Sequence, residues 1–222
     1  MNKKIIISVL VVILIILAIL VYFITKKGAN SNEKQNVQEN AQAEQKEVNK
    51  EEKSMYSSGK HHAQIVIKNY GTISLELDAD MAPITVENFA NLVNKGFYDG
   101  LTFHRIISGF MIQGGDPEGN GLGGSDKEIK GEFSANGVKN TISHTRGVIS
   151  MARAQSYNSA SSQFFIMHKD APYLDGSYAA FGHVTEGIEI VDKICEDTKV
   201  EDSNGTVLKE NQPVIEKIVM ID

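Results

Sequence analysis

Tryptophan is absent from the 222 residues and cysteine occurs once, at Cys195. A single thiol excludes an internal disulfide and any cysteine-based metal cluster. Cys195 itself reads as a small apolar helix side chain. Residues 61–222 contain no run of basic residues interleaved with aromatics. They hold 13 Lys and Arg against 22 Asp and Glu, a formal −9, whereas residues 1–60 carry +3 from nine Lys and six Glu. An acidic body repels phosphate backbones, which argues against a nucleic-acid partner.

Several catalytic signatures are missing as well. No G-x-S-x-G elbow occurs, and "GGSDK" at 123–127 lacks the strand-to-helix setting a serine nucleophile needs. The Gly-rich stretch "GGDPEGNGLGGSD" at 114–126 lacks the G-K-[ST] ending of a phosphate-binding loop and is acidic, so it reads as a loop passing close to other backbone. His104, His144, His168 and His183 show neither H-x-x-x-H nor H-E-x-x-H spacing, which predicts structural or surface roles and no metal centre. The adjacent His61 and His62 cannot share one helix face and read as a solvated pair.

The chain does possess one long apolar run. Residues 5–24, "IIISVLVVILIILAILVYFI", carry no charge and are flanked by Lys3, Lys4, Lys26 and Lys27. Twenty helical residues span about 30 Å, the thickness of the hydrocarbon core of a bilayer. A cleaved signal peptide has a shorter apolar centre and a small-residue cleavage site, and a lipoprotein needs a cysteine just after the run. The sequence therefore predicts an uncleaved signal anchor over residues 1–25, a single transmembrane helix in the cell membrane. The lysine bias is nearly neutral. The short N-terminal tail favours a cytoplasmic N-terminus with the body exported. Residues 26–60 hold one aromatic, Tyr56, and few large aliphatics. They read as a disordered polar tether, with a weak solvated helix over 38–53 as the alternative.

From residue 61 to 222 the pattern is that of a folded domain. "AQIVIKNYGTISLELD" gives an apolar run, a turn at Asn69-Tyr70-Gly71, and alternation of Ile73, Leu75 and Leu77 with polar residues: a β-hairpin. In "APITVENFANLVNKG", Val86, Phe89, Ala90 and Val93 recur at helical spacing between Pro83 and Gly96. A second helix is expected in "GIEIVDKICED", with Ile188, Val191, Ile194 and Cys195 on one face. Short strand-like runs lie between the helices, Asn204-Gly205 reads as a turn within an N-x-[ST] sequon, and "VIEKIVMI" is a closing strand. The expectation is a mostly β fold, a closed antiparallel eight-stranded barrel with two α-helices.

Residue types and their order in "FHRIISGFMIQGGD" (103–116), "SMARAQSYNSASSQFFIMH" (150–168) and "APYLDGSYAAFGH" (171–183) resemble the cyclophilin family of peptidyl-prolyl cis–trans isomerases. The likeness runs from about 63 to 221. It implies isomerisation of X-Pro bonds in proline-containing polypeptides, with no cofactor and no metal. Position by position, Arg105 matches the family's catalytic arginine. Phe110, Met111, Phe165 and Leu174 match the proline pocket, and Gln113 the glutamine that holds substrate backbone. Ala152, Arg153 and Ala154 match the segment pairing with residues before proline; Gln163 and Gly121 line the adjoining groove, and His104 lies beside the pocket by its place in the motif.

The departures from the family pattern are Ser108 for a common proline, Tyr173 for a common tryptophan, Tyr178 for a common histidine and Arg153 for a common asparagine. The 117–120 loop is short and "AQSYNSAS" slightly long. The family's tryptophan favours cyclosporin, so Tyr173 is expected to weaken cyclosporin binding while leaving catalysis intact. Tyr178 and Arg153 are expected to alter which residues are preferred around the proline. With the anchor, the resemblance implies a membrane-tethered isomerase assisting the folding of exported proteins. A peptide-binding module with incidental activity, or a surface scaffold, is the alternative.

Overall fold

The computed structural model describes residues 55–222. The apolar run at 5–24 and most of the expected tether lie outside the described residues, and among those described no helix is long and apolar enough to cross a membrane. The last residues of the expected tether fold with the body. Tyr56 packs against the core, and the first strand already begins at Lys60.

Eight strands form one antiparallel sheet: β1 (Lys60–Ile67), β2 (Gly71–Asp78), β3 (Thr102–Ile107), β4 (Met111–Asp116), β5 (Val148–Met151), β6 (Phe164–Met167), β7 (Ala180–Glu186) and β8 (Ile215–Met220). Their order is β3-β4-β6-β5-β7-β2-β1-β8. Each strand stands where the sequence pattern placed one. Closure is where the expectation fails: the sheet is a half-barrel, open between β3 and β8. Near Thr102, β3 meets only an isolated bridge to Val214. Further along, Gly205–Val207 occupies its outer edge: the Ile106 amide donates to the Gly205 carbonyl (2.8 Å) and the Val207 amide to the His104 carbonyl (3.0 Å). The chain from Leu208 to Gln212 loops out between these two contacts, so β8 cannot zip along β3.

Two helices pack on the sheet, α1 (Pro83–Asn94) and α2 (Ile188–Asp197). Proline suits the first turn of α1, where its missing N–H would be unpaired anyway. The remaining amides there are met from a distance. The Glu132 carboxylate accepts from the Ile84 and Thr85 amides (3.0 and 2.8 Å) and from the Thr85 hydroxyl (2.6 Å). An anion at a helix N-terminus also complements the helix dipole. On its inner face α1 buries Val86, Phe89, Ala90 and Val93. Phe89 meets Phe164 edge-on at 5.8 Å and lies 5.3 Å from both Tyr98 and Phe181. Truncating an aromatic in such a cluster costs about 3–5 kcal/mol.

The period-2 alternation of the strands creates a second apolar layer. On β6, Phe164 and Ile166 join the main core, while Phe165 and Met167 join a smaller cluster with Met111, Val148, Ala171 and Ala180. That cluster occupies the opposite face of the same strands. The functional residues lie there, on the outside of the half-barrel.

Candidate active site

Strand register assembles the centre of the site. Arg105 on β3 pairs with Gln113 on β4, and Gln113 pairs with Phe165 on β6. Their neighbours Ile106, Ile112 and Ile166 are fully buried in the core, so Arg105, Gln113 and Phe165 project the other way. The turn between β3 and β4 adds Phe110, and the strand start adds Met111. A cavity of about 230 Å³ opens over these residues, with Leu174, Tyr178, Ala152 and Arg153 completing its wall. A second cavity of about 340 Å³ adjoins it. The two share Gln113, Ala152 and Arg153, and the second adds Gly121, Ala154 and Gln163.

Arg105 is held from two sides. Its Nε donates to the Asn204 carbonyl (2.8 Å), Nη2 to Asn204 Oδ1 (3.2 Å) and Nη1 to Gln113 Oε1 (3.2 Å). Gln113 Nε2 donates to Gln163 Oε1 (2.9 Å), and Gln163 Nε2 donates to the Gly121 and Gly123 carbonyls (3.1 and 2.7 Å). A single hydrogen-bonded line thus runs from the guanidinium to the loop bordering the second cavity. Burial lowers the Arg105 pKa, with Tyr178 and Asp202 opposing the shift. An arginine remains charged throughout the pH range of a folded protein.

Asp116 fixes the loop at the far end of that line. Its carboxylate accepts from the amides of Glu118, Asn120 and Gly121 at 2.9, 2.9 and 2.6 Å. Burial acts to raise its pKa, but these three donors together outweigh burial and hold it below the usual carboxylate range.

Twelve of the fourteen residues singled out from the sequence line one cavity or the other, and two do not. Tyr173 is 72% exposed and sits at the rim, stacked on Phe110 with ring centroids 6.1 Å apart. His104, expected beside the pocket, is 4% exposed and lines neither cavity, but its ring lies next to Gly121, which borders the second. A register irregularity between Phe103 and Arg105 turns two consecutive side chains inward. Burial lowers the His104 pKa, as does Arg105, against the opposing pull of Asp116, so its ring is neutral near pH 7.

Arg153 is no free cation. Its Nε and Nη2 donate to the Ser177 carbonyl (3.0 and 2.9 Å), and Nη1 to the carbonyls of Ala154 and Gln155 (2.9 and 3.3 Å). Its guanidinium lies 4.7 Å from the Tyr178 ring centroid, 5.0 Å from Tyr157 and 5.3 Å from Phe133. The side chain braces the wall between the two cavities.

Asn204 is the functional neighbour that sequence reasoning missed. Asn204-Gly205 was legible only as a turn. Gly205 has φ +81°, and a Cβ there would lie 2.3 Å from the Ile106 carbonyl oxygen. The close approach that brings Asn204 to Arg105 therefore requires glycine beside it.

One further cluster has the outline of a hydrolytic relay. His144 Nδ1 lies 2.9 Å from Asp175 Oδ1, and His144 Nε2 lies 3.0 Å from Ser150 Oγ. Ser150 is fully buried, so no substrate reaches it. The His144 ring stacks on Phe165 at 6.0 Å, so the cluster supports the floor of the first cavity.

A fixed cation beside an apolar cup suits one kind of chemistry. Rotating a peptide bond meets a barrier of about 18–20 kcal/mol, because the bond has partial double-bond character. No bond breaks, so neither a nucleophile nor a metal is needed. When an X-Pro bond twists, conjugation is lost and the proline nitrogen becomes a better hydrogen-bond acceptor. A donor aimed at that nitrogen stabilises the twisted form more than either planar form, as catalysis requires.

Fold and site together define a class: an antiparallel half-barrel carrying an arginine beside a small apolar pocket on its outer face. Residues 62–220 match the family model "Cyclophilin type peptidyl-prolyl cis-trans isomerase/CLD", and the chain belongs to that family. Peptidyl-prolyl cis-trans isomerase B of Bacillus subtilis is 43% identical over 145 residues, covering 65% of this chain and 92% of that protein. A Helicobacter pylori peptidyl-prolyl cis-trans isomerase is 48% identical over 128 residues, covering 57% and 76%. The crystal structure of a Cryptosporidium parvum cyclophilin type peptidyl-prolyl cis-trans isomerase superposes with a TM-score of 0.65 at 31% identity, covering 74% of this chain and 99% of that one. The same protein has been solved in the presence of the dipeptide Ala-Pro, with a TM-score of 0.64. The protein is a peptidyl-prolyl cis–trans isomerase.

Proposed function

We propose that this isomerase accelerates rotation of X-Pro bonds in exported polypeptides while anchored in the cell membrane. Arg105 is the catalytic residue. Its guanidinium donates to the proline nitrogen in the twisted state, and Gln113 and Asn204 hold it in position. Phe110, Met111, Phe165 and Leu174 grip the pyrrolidine ring, with Tyr178 at the wall and Tyr173 at the rim. Gln113 also holds substrate backbone. Ala152, Arg153 and Ala154 face the residues before proline, and Gly121 and Gln163 border the groove those residues enter.

The observation that carries the catalytic part is the bracing of Arg105. With Nε and both terminal nitrogens hydrogen-bonded to the protein, the group is oriented before substrate arrives, and little reorganisation is left for the reaction. The anchored location rests on the uncharged run at residues 5–24. Uncatalysed X-Pro isomerisation takes tens of seconds, slow enough to delay folding of a newly exported chain.

The test uses cells lacking the protein and supplied with the full chain or its Arg105→Ala variant. Protease added to intact cells should digest the isomerase body, and maturation of proline-rich exported proteins should be restored by the unmodified chain alone. Protection of the body would contradict the orientation. Full restoration by Arg105→Ala would instead favour a peptide-binding module.

A further inference from the structure

The turn joining β3 to β4 carries Phe110, yet Ser108 stands where a proline would stiffen it. Gly109 in the turn has φ +82°. Its fastening comes from His168, at the end of β6. The Gly109 amide donates to His168 Nδ1 at 2.9 Å. The His168 amide donates to the Phe110 carbonyl at 2.9 Å, and the Lys169 amide to the same oxygen at 3.3 Å. On its other side the imidazole meets α2: Nε2 lies 3.1 Å from Asp192 Oδ1. That carboxylate takes a bidentate pair from Arg146, with Nη1 and Nη2 each at 2.7 Å. Arg146 Nη1 also donates to the His168 carbonyl (2.8 Å), and the Arg146 amide donates to Asp170 Oδ1 (2.7 Å).

This geometry settles the tautomer. A ring nitrogen that accepts from an amide carries no proton, so His168 holds its proton on Nε2 and gives it to Asp192. Hydrogen bonding to Arg146 lowers the Asp192 pKa, so the acceptor for Nε2–H stays anionic as the pH falls toward the carboxylate range. The ring is 12% exposed. The groups facing it are Asp192 on α2 and Arg146 beyond it, with Lys169 and Asp170 next along its own segment.

We propose that His168 is a positioning residue for the proline pocket. As the neutral Nε2–H tautomer it holds the Gly109 amide, and through it the turn that sets Phe110 in the cavity. The inference rests on the isomerase reading of the site. Loss of the Nδ1 acceptor releases the turn and weakens substrate binding through this contact. The effect falls on KM rather than on kcat, because Phe110 grips the ring and Arg105 is braced independently.

The test compares His168→Leu and His168→Asn in the full chain, using a proline-containing tetrapeptide. Asparagine can place Oδ1 where Nδ1 stood; leucine cannot accept. KM should rise roughly threefold to tenfold for His168→Leu, the effect of one lost hydrogen bond. In His168→Asn it should stay near the unmodified value, with kcat little changed in either. Equal KM increases in both variants, or none in His168→Leu, would overturn the proposal. A direct measurement on the unmodified chain guards against misfolding of the variants. A trans-hydrogen-bond ¹⁵N–¹⁵N coupling should link the Gly109 amide to His168 Nδ1, and its absence would overturn the proposal too. An inactive unmodified chain that still showed the coupling would instead refute the isomerase reading.

Discussion

Replacing Asn204 by alanine removes one of the hydrogen bonds on the Arg105 guanidinium and leaves the others. The Nη2 contact to Asn204 Oδ1 (3.2 Å) disappears, while Nε keeps the Asn204 carbonyl and Nη1 keeps Gln113. A hydrogen bond to a charged group contributes about 1.5–3 kcal/mol when well shielded. Arg105 is partly open to water, which competes for the freed donor, so about 1 kcal/mol of orientation is at stake. At about 1.4 kcal/mol per tenfold change, that corresponds to a loss of about fivefold in kcat/KM. The loss should fall on kcat, because the guanidinium is needed most in the twisted state and the apolar cup is untouched. Steady-state kinetics of the full chain on a proline tetrapeptide, with thermal unfolding as a control, reads the effect. Gln113 braces the same group from the other side, so the Asn204→Ala/Gln113→Ala double variant should depart from the product of the single effects. An unchanged kcat, or a loss carried wholly by KM, would refute the reasoning.

Three further outcomes follow from the geometry. Glu132→Ala strands two amides and a hydroxyl at the buried start of α1, so denaturant unfolding should show a loss of about 2–4 kcal/mol; a loss under 0.5 kcal/mol would contradict the capping role. His104 is buried with its pKa lowered by desolvation, so the unfolded chain takes up a proton first as pH falls below about 6.5. This contribution to stability is complete above that value and is lost on acidification. His104→Leu should lose less stability between pH 7 and pH 5 than the unmodified chain; an identical slope would contradict it. Tyr173→Trp restores the family's rim residue and gives the chain its only tryptophan. Cyclosporin should bind this variant more tightly than the unmodified chain and change its fluorescence; equal affinity would contradict the expected effect of Tyr173.

Local pattern carried the elements, and partners distant in sequence decided what pattern could not. Alternation at Ile73, Leu75 and Leu77 and helical spacing from Val86 to Val93 are nearest-neighbour signals, and both became the expected strand and helix. The half-barrel's opening depends on Gly205–Val207 taking the edge of β3, a contact across about a hundred residues that leaves no periodic trace. Glu132 caps α1 from 47 positions away and looks like any other glutamate in the sequence. Strand register makes cross-strand neighbours of Arg105, Gln113 and Phe165, and the β3–β4 turn and the start of β4 bring Phe110 and Met111 to the same cavity. The burial of His104 was not legible in the sequence, since a strand irregularity breaks the alternation there. Arg153 was legible as a departure from the family pattern. That its donors are spent on backbone carbonyls became visible only once Ser177 and Tyr178 were folded against it.

The central claim is that a braced guanidinium lowers the cost of twisting an X-Pro bond. Its most direct measurement is kcat/KM of the full chain and of Arg105→Ala on the same proline tetrapeptide. Loss of the principal donor should reduce kcat/KM by about 10²-fold or more, with the fold and the peptide affinity retained. Equal rates for the two proteins would contradict the account.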